Sequence, residues 1–393
     1  MATFQHHELR LLNPDFDSPL VDVMTELEYL RRLSLGGLTP KSIFFELKDI
    51  FHMLESLGSA RIEGNHTTLA DYVESRVDPM ATRTDQLAEI RNIEDAMRYV
   101  DDAIVPDEPL TENFIRELHL KAVQGLVREG DKTPGAYRNE QVSISKSSHL
   151  PPPPAHVSPY MAELVEFINR DDRPKYHLMK VALAHHRFGW IHPFTNGNGR
   201  VVRLLTYALM IKYGFIMKLG DGRVMNPTAV FCNDRELYYE KLGVADRGKN
   251  EDLEGWCVYV LNGMLTEIKK LDRLTEYEYL QDNILLPAIA YAKRAELITS
   301  SEEKILTTLV RSPTAIIKAG DLAKVLPELN ANQRTYQIRR LLDSKMIAPI
   351  TFNARQYTIR FANNRLLRGV VAALDAQGFT SPALQRPSPT GVN

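Results

Sequence analysis

The sequence is poor in cysteine and tryptophan, with two residues of each among 393. Two cysteines, Cys232 and Cys257, are too few for a disulfide-rich scaffold or a four-cysteine zinc site. No apolar run reaches the roughly 18 residues of a membrane-spanning helix, so we expect no membrane partner. The first ten residues lack the basic and then apolar pattern of an export signal, and we expect a cytoplasmic protein.

Net charge is also small, at −2, which gives no overall attraction to nucleic acid or anionic lipid. The charge is nevertheless unevenly distributed. Residues 301–370 contain 12 Lys and Arg against 5 Asp and Glu, a balance of +7, whereas the first 300 residues sum to −9. The length predicts two or three domains, and the asymmetry indicates that a basic C-terminal module has a separate task.

Apolar residues recur at helical spacing through most of the acidic part, which predicts a mainly α body. A helix is predicted from Lys41 towards Gly58, followed by a short second helix over 59–63 that ends at Gly64. The pattern breaks at 130–157. There, Gln141 to Ile144 are predicted to form a short strand of a hairpin before the proline run at 151–154.

The pattern of predicted secondary structure changes again at Ser301. Three short helices and two β-like runs, over about 302–310, 319–325, 332–344, 347–352 and 356–361, are typical of a winged helix-turn-helix. A polar face of its third helix, Gln333, Tyr336, Gln337 and Arg340, is suited to a DNA major groove. The alternative is that the module serves protein contact, and a homodimer stays open.

The most informative stretch is His192-Pro193-Phe194-Thr195-Asn196-Gly197-Asn198-Gly199-Arg200-Val201-Val202-Arg203. It is a glycine-containing loop that opens directly into an apolar helix. Gly197 and Gly199 let backbone N–H groups approach a ligand, and the helix start favours anions. Arg200 and Arg203 lie three apart and are predicted to contact phosphate, as is the amide of Asn198. His192 is placed to act as general base.

This stretch resembles the signature of the Fic family, HPFx[D/E]GNGRxxR, over a region of about 50–270. The resemblance implies a Fic helical core and transfer of AMP from ATP to a Ser, Thr or Tyr hydroxyl of a target protein. His192 would accept the hydroxyl proton. The hairpin of Gln141, Val142, Ser143 and Ile144 would be the flap that clamps the target main chain. The family's tyrosine pair near adenine matches Tyr238 and Tyr239, and Asp246 falls near the same end of the pocket.

One position departs from the signature. The family places Asp or Glu where this chain has Asn196, and that carboxylate holds Mg²⁺ against the phosphates. An amide oxygen can ligate Mg²⁺ without a carboxylate's charge, so Asn196 is a metal ligand only in this weakened sense.

A second element lies nearly 130 residues upstream. Ser59-Ala60-Arg61-Ile62-Glu63-Gly64 matches the family's inhibitory motif, [S/T]xxxE[G/N], in the arrangement with an N-terminal inhibitory helix. The resemblance implies that Glu63 pairs with Arg203 and occupies the site of the ATP γ-phosphate. A carboxylate and a phosphate would then compete for the same guanidinium donors.

The expected fold is mainly α, with a Fic core, a β-hairpin flap and a C-terminal winged helix-turn-helix. The expected function is an adenylyltransferase that uses ATP and inhibits itself through Ser59 and Glu63. The alternatives are a DNA-binding regulator whose Fic core senses nucleotide, and a Fic enzyme with another phosphate-containing donor. The predicted parts are an N-terminal helical region 1–105 with the inhibitory helix at about 55–66, a core 106–270, a connecting helix 271–300, the winged module 301–370 and a disordered tail 371–393.

Overall fold

The computed structural model describes residues 4–32, 39–78, 84–145, 147–215, 218–219, 222–223, 229–351, 354–381 and 384. Most of these residues are helical, which confirms the predicted fold class. Within the described ranges, no helix combines the length and apolar character needed to cross a bilayer.

In the first half of the chain, the described residues form eight α-helices. Three of them begin at a threonine, Thr68, Thr84 or Thr111, whose hydroxyl accepts a backbone N–H of the first turn. The central pair, α7 and α8, packs as neighbours and carries the glycine loop between them. The helices are α1 Pro19–Arg32, α2 Lys41–Ile62, α3 Leu69–Val77, α4 Asp85–Ala103, α5 Glu112–Val123, α6 Val157–Asn169, α7 His177–Ile191 and α8 Asn198–Lys212.

Helix α2 is continuous, so the predicted break into two helices at Gly58 is wrong. Gly58 serves close packing instead of a turn. A methyl group at this position would lie 2.9 Å from Cys232 Sγ, which is nearer than packed atoms approach. The chain stops being helical only at Glu63, and Gly64 follows with φ 100°. The predicted inhibitory segment is therefore the last turn of a 22-residue helix.

Three further helices complete the body, and a split helix connects it to the C-terminal module. A two-residue antiparallel pair, β1 Lys218–Leu219 and β2 Gly222–Arg223, follows α8. The body ends with α9 Ala229–Asn233, α10 Arg235–Ala245 and α11 Asn250–Asp272. The connection is α12 Tyr277–Leu280, a π-helical turn Gln281–Leu285 and α13 Leu286–Arg294.

The C-terminal module contains a three-stranded antiparallel sheet in the order β3-β5-β4. Strand β3 was not expected, because three residues are too few for a periodic pattern. It pairs Ile317 with Tyr357, and β4 pairs Ala348 with Thr358. The elements are α14 Ser300–Arg311, β3 Ile316–Lys318, α15 Leu322–Val325, α16 Ala331–Asp343, β4 Ile347–Pro349 and β5 Gln356–Ile359. Assignment of this module to the winged helix-turn-helix class stays a prediction.

The predicted polar face of α16 is only partly exposed. Arg340 lies 3.2 Å from the buried Glu302 carboxylate of α14, so it does not extend freely into solvent. Gln337 is half-buried, whereas Tyr336 and Arg339 are exposed. The exposed face is therefore rotated from the one predicted.

A last helix, α17 Leu366–Ala376, contradicts a disordered tail beginning at 371. It packs against α13, and Gly369 allows the approach because a methyl group there would lie 2.5 Å from the Ala288 carbonyl. Val370 and Leu374 of α17 are buried, as is Phe379 beyond its end. About three to four apolar residues per two turns are enough for a helix such as α17 to pack stably on its neighbours. Residues 385–393 of the predicted tail lie outside the described residues.

The C-terminal module is fixed to the first half of α2. The carboxylate of Glu46, only 3% exposed, accepts the backbone N–H of Phe361 at 2.6 Å and of Ala362 at 2.8 Å. Its other oxygen pairs with Arg360. One turn earlier, the hydroxyls of Ser42 and Thr358 are 3.0 Å apart.

We expect Glu46→Ala to lower the free energy of unfolding by about 2–4 kcal/mol, because two buried N–H groups would lose a charged acceptor. Glu240→Ala is the control, since this exposed side chain should change the value by no more than about 0.5 kcal/mol. Urea unfolding followed by circular dichroism measures both. Equal stability of the two variants would contradict the role of Glu46.

Candidate active site

The loop between α7 and α8 is held by its own side chains. His192 ends α7 in the left-handed region, with φ 49° and ψ 61°. The amide of Asn198 accepts the Phe194 N–H at 2.9 Å and donates to the Phe194 carbonyl at 2.8 Å. Asn198 is buried, so the predicted phosphate contact of its side chain is corrected to a bond that closes the loop.

The start of α8 forms the predicted anion site. Gly197 has φ 76°, and a methyl group there would lie 2.7 Å from Val123 Cγ1, so only glycine fits. No side chain caps the helix. The first-turn N–H groups of a helix have no intrahelical acceptor, and the helix dipole adds positive potential.

This site is filled by the end of α2. Arg203 Nη2 donates to Glu63 Oε1 at 2.7 Å and to the Ser59 carbonyl at 2.9 Å, and its Nε donates to Ser59 Oγ at 2.8 Å. Arg203 is 2% exposed and Glu63 25% exposed. The pairing predicted from the two motifs is therefore present, with Ser59 supplying two of the three acceptors.

Glu63 also lies against the first turn of α8. A methyl group at Gly199 would be 2.1 Å from Glu63 Oε1. Burial by itself raises the pKa of the Glu63 carboxyl. The positive charge of Arg203, with smaller effects from Arg200 and Arg235, lowers that pKa below its ordinary value. The carboxylate is charged at neutral pH, and its ion pair is lost only when the pH falls through this lowered pKa.

His192 is half-buried beside this pair. The pKa of its imidazole is lowered to about 4, mainly by burial and also by the Arg138 charge, while a backbone hydrogen bond with Gly189 and the Glu63 charge oppose this. The ring is therefore neutral at pH 7 and can accept a proton.

Arg200 has a different position from the one predicted. Its guanidinium is fully buried, 3.1 Å from Glu89 Oε1, and donates to the Glu129 carbonyl at 2.7 Å. Glu89 in turn accepts from the amide of Asn65, two residues after Glu63. The predicted phosphate contact of Arg200 is corrected to a structural one, because both of its terminal nitrogens face these partners.

Asn196 does not offer a metal ligand. Its Oδ1 accepts the Gly197 N–H at 2.7 Å and its Nδ2 donates to the Gly130 carbonyl at 3.1 Å. Both ends of the amide are used, so the residues present do not fit Mg²⁺. Among the described residues, no group of three His, Cys, Asp or Glu side chains is arranged to hold a metal ion.

A histidine and an aspartate that the sequence did not single out support Asn196. His119 Nδ1 accepts the Gly135 N–H, so its Nε2 carries the proton and donates to the Asn196 carbonyl at 3.1 Å. The Asn196 N–H donates to Asp131 at 3.1 Å. Burial lowers the pKa of His119 to about 4, and the neutral ring stacks on Phe194 at 3.8 Å.

Of the two tyrosines predicted to lie near adenine, Tyr238 is in the core and Tyr239 is at the surface. Tyr238 is 2% exposed and its hydroxyl lies 2.9 Å from His185 Nε2. Tyr239 is 41% exposed, with the Arg235 guanidinium 5.5 Å from its ring centre. Asp246 is engaged with His186 at 3.0 Å. Only Tyr239 therefore presents an open ring to a ligand.

The predicted flap has no strand. Within the described residues, no strand includes Gln141, Val142, Ser143 or Ile144, so the predicted hairpin is wrong. Their exposure alternates, with Val142 and Ile144 half-buried and the other two exposed. Gln141 Nε2 donates to the Pro151 carbonyl at 3.0 Å, which draws the two ends of the segment together.

Arg138, just before this segment, was missed. It is 4% exposed and its Nε donates to the His192 carbonyl at 2.8 Å. Arginine is almost never fully buried without a partner, so its sequence position alone predicts a surface residue. The sequence feature that could have indicated a role for Arg138 is its position between the Thr133-Pro134-Gly135 turn and the predicted flap.

Comparisons with known proteins agree with this geometry. Residues 109–210 match the Fic/DOC family model. A "Protein adenylyltransferase Fic" of Nematostella vectensis is 30% identical over 240 residues, which cover 59% of this chain and 51% of that protein. The protein of the same name from Drosophila melanogaster is 32% identical over 203 residues, 50% of this chain and 37% of its own. The chain thus spans about half, or less, of these relatives.

The fold is also found among solved structures. A Fic family protein from Desulfovibrio desulfuricans G20 superimposes with a TM-score of 0.52 at 18% identity, covering 90% of this chain and 98% of that one. At this identity the likeness shows the fold alone. The family match includes the loop after His192, so this chain is similar to Fic/DOC proteins over residues 109–210.

Proposed function

We propose that this protein is an adenylyltransferase that moves AMP from ATP to a Ser, Thr or Tyr hydroxyl of a target protein, and that Glu63 restrains it. The observation that carries the proposal is the carboxylate of Glu63 on Arg203 and Gly199, within one loop of His192. An anion site with a general base beside it is what transfer of a phosphate group needs.

His192 has the properties that the proton transfer requires. Its imidazole is neutral at pH 7 and takes the proton of the target hydroxyl. The freed oxygen attacks the α-phosphorus of ATP, so a new P–O bond forms as the bond to pyrophosphate breaks. The N–H groups at the start of α8 stabilise the charge that develops on the phosphate oxygens.

Arg203 is the main cationic group for the nucleotide. Its guanidinium donates to Ser59 and Glu63, and a γ-phosphate would take the donors that Glu63 now holds. The open ring of Tyr239 beside Arg235 provides a stacking surface for adenine. No step is assigned to Mg²⁺, since the amide of Asn196 is engaged within the loop.

The extended segment 141–144 is the proposed contact for the target chain. Its alternating exposure places Val142 and Ile144 on one side, and within the described residues its backbone has no strand partner. A target peptide that pairs with this edge would bring its hydroxyl towards His192.

Two other functions remain as candidates. A regulator that binds DNA and senses nucleotide is favoured by the +7 balance of 301–370 and by the exposed face of α16. A Fic enzyme with another phosphate-containing donor would use the same anion site. Incorporation of label from α-labelled ATP into protein distinguishes adenylyl transfer from both of these functions.

We expect Glu63→Gly to raise incorporation of label from α-labelled ATP at least tenfold, because Arg203 is then free for the γ-phosphate. The double variant Glu63→Gly/His192→Ala should lose about 10²–10⁴ in rate while still binding ATP, since the base is removed and the anion site is not. Label incorporation gives the rates, and calorimetric titration gives ATP affinity.

Glu166→Gly is the matched control, because this exposed glutamate lies in the last turn of α6, outside the anion site. Transfer by this control should equal that of the unmodified protein. Absence of label in Glu63→Gly, with ATP still bound, would contradict adenylyl transfer.

We expect Asn196→Asp to destabilise the loop without creating a magnesium requirement. A carboxylate cannot donate to the Gly130 carbonyl and would lie near Asp131, which accepts the backbone N–H of residue 196. The expected loss is about 1–3 kcal/mol of unfolding free energy. Label transfer measured at increasing Mg²⁺ concentration, in the Glu63→Gly background, tests whether the substitution creates a magnesium requirement. Tighter Mg²⁺ dependence with unchanged stability would show that this position ligates the metal after all.

For the DNA candidate, we expect weak duplex binding that falls steeply between low and physiological salt, as a few phosphate contacts dictate. Arg339→Ala should weaken it and Arg340→Ala should not, since Arg340 is held by Glu302. Gel shifts of the full-length protein in rising salt measure both. Equal losses in the two variants would contradict the assigned face, and absence of binding at low salt would exclude this candidate.

A further inference from the structure

Arg138 donates hydrogen bonds to backbone carbonyls in two parts of the active site. Its side chain donates to the His192 carbonyl at 2.8 Å, the Glu140 carbonyl at 3.0 Å, the Pro152 carbonyl at 2.7 Å and the Ile191 carbonyl at 3.3 Å. Its backbone N–H also donates to the Pro193 carbonyl at 2.9 Å. One residue thus joins three consecutive carbonyls at the end of α7 to both ends of the flap segment, which here means residues 139–145 and 147–152.

The charge of Arg138 is balanced by these dipoles. Among the described residues, no carboxylate forms an ion pair with it, although it is 4% exposed. The carbonyls at the C-terminal end of a helix carry negative potential and have no intrahelical donor, so the end of α7 is a suitable partner for a cation. Five N–H groups in a planar fork can serve four carbonyls at once, which an ammonium group cannot do.

His192 needs this support. It is a non-glycine residue in the left-handed region, a conformation that costs about 1–2 kcal/mol. The Phe188 carbonyl accepts its N–H, and Arg138 binds its carbonyl, so both of its backbone polar groups are fixed. The backbone from which the imidazole projects is therefore held in place.

The far end of the flap segment returns to the same helix. His149 Nε2 lies 2.8 Å from the Trp190 carbonyl, and the two rings stack at 5.5 Å. The flap segment, residues 139–145 and 147–152, is thereby attached to α7 at Trp190 and, through Arg138, at Ile191 and His192.

We propose that Arg138 is a positioning residue that sets His192 and the flap segment at a fixed distance from each other. The inference rests on the proposed function, in which the flap segment holds the target and His192 takes its proton. Arg138 touches neither reacting group. It makes the position of the bound hydroxyl and the position of the base depend on one guanidinium.

Lysine at position 138 separates this role from charge alone. Lys keeps the positive charge but cannot reach both ends of the flap segment and His192 together. A misplacement of about 1 Å between base and hydroxyl costs roughly 10² in rate. ATP binding should be unaffected, because the carbonyls that the Arg138 side chain binds all lie outside α8.

The first test uses the full-length protein in the Glu63→Gly background, with self-modification from α-labelled ATP as the probe. We expect Arg138→Lys to lower kcat about 10²-fold while the ATP Kd stays within twofold. The matched control is Arg187→Lys. Arg187 is equally buried on α7 and binds Glu163 and the His7 carbonyl instead of the flap segment. Equal losses in the two variants would overturn the proposal.

The second test does not need transfer activity. We expect hydrogen exchange in Arg138→Lys to rise in the flap segment and at residues 191–193 and to stay unchanged in α4 and α11. In Arg138→Met, loss of the charge should raise the pKa of the His192 imidazole, followed by NMR, whereas Arg138→Lys should not. If the parent transfers no AMP, the proposed function fails and these readings still decide the role of Arg138. Unchanged exchange in the flap segment, or a rise across the whole chain, would overturn it.

Discussion

A buried guanidinium bound by the last turn of one helix joins the two halves of the active site. Arg203 belongs to α8, and among the described residues its three acceptors belong to Ser59 and Glu63 at the end of α2. Because an unpaired buried charge is very costly, the end of α2 and the start of α8 are specified together. Any ligand that takes Glu63's place must supply an anion of comparable strength.

The three buried arginines near the loop have distinct partners, and the partners explain their distinct tasks. Arg203 faces a carboxylate that a phosphate could replace. Arg200 combines Glu89 with main-chain carbonyls and holds the loop before the motif. Arg138 has carbonyls alone, so its bonds fix backbone positions. A guanidinium with a carboxylate partner can exchange it for another anion, whereas one that binds only carbonyls cannot do so without moving the chain.

The sequence predicted what depends on local chemistry. The glycine loop, the helix after it and the pairing of Glu63 with Arg203 follow from a residue order that leaves few alternatives. Side-chain direction was not predictable in the same way. Arg200 and Asn198 lie in the same motif, yet the packing of α4 and α5 turns one inward and the loop closes on the other. Gly58 was predicted to end a helix, but Gly58 and Gly369 both serve close packing between distant segments, which no local pattern contains.

The continuity of α2 limits how Glu63 can leave its site. The same helix carries Ser42 and Glu46, which bind β5 and the residues after it, and Ser59 and Glu63, which bind Arg203. A shift of the helix by one turn, about 5.4 Å, would break both sets of bonds together. Rotation of the Glu63 side chain breaks one bond and leaves Ser59 on Arg203. Departure of the carboxylate is therefore a rotamer change, fast compared with any movement between the C-terminal module and the body.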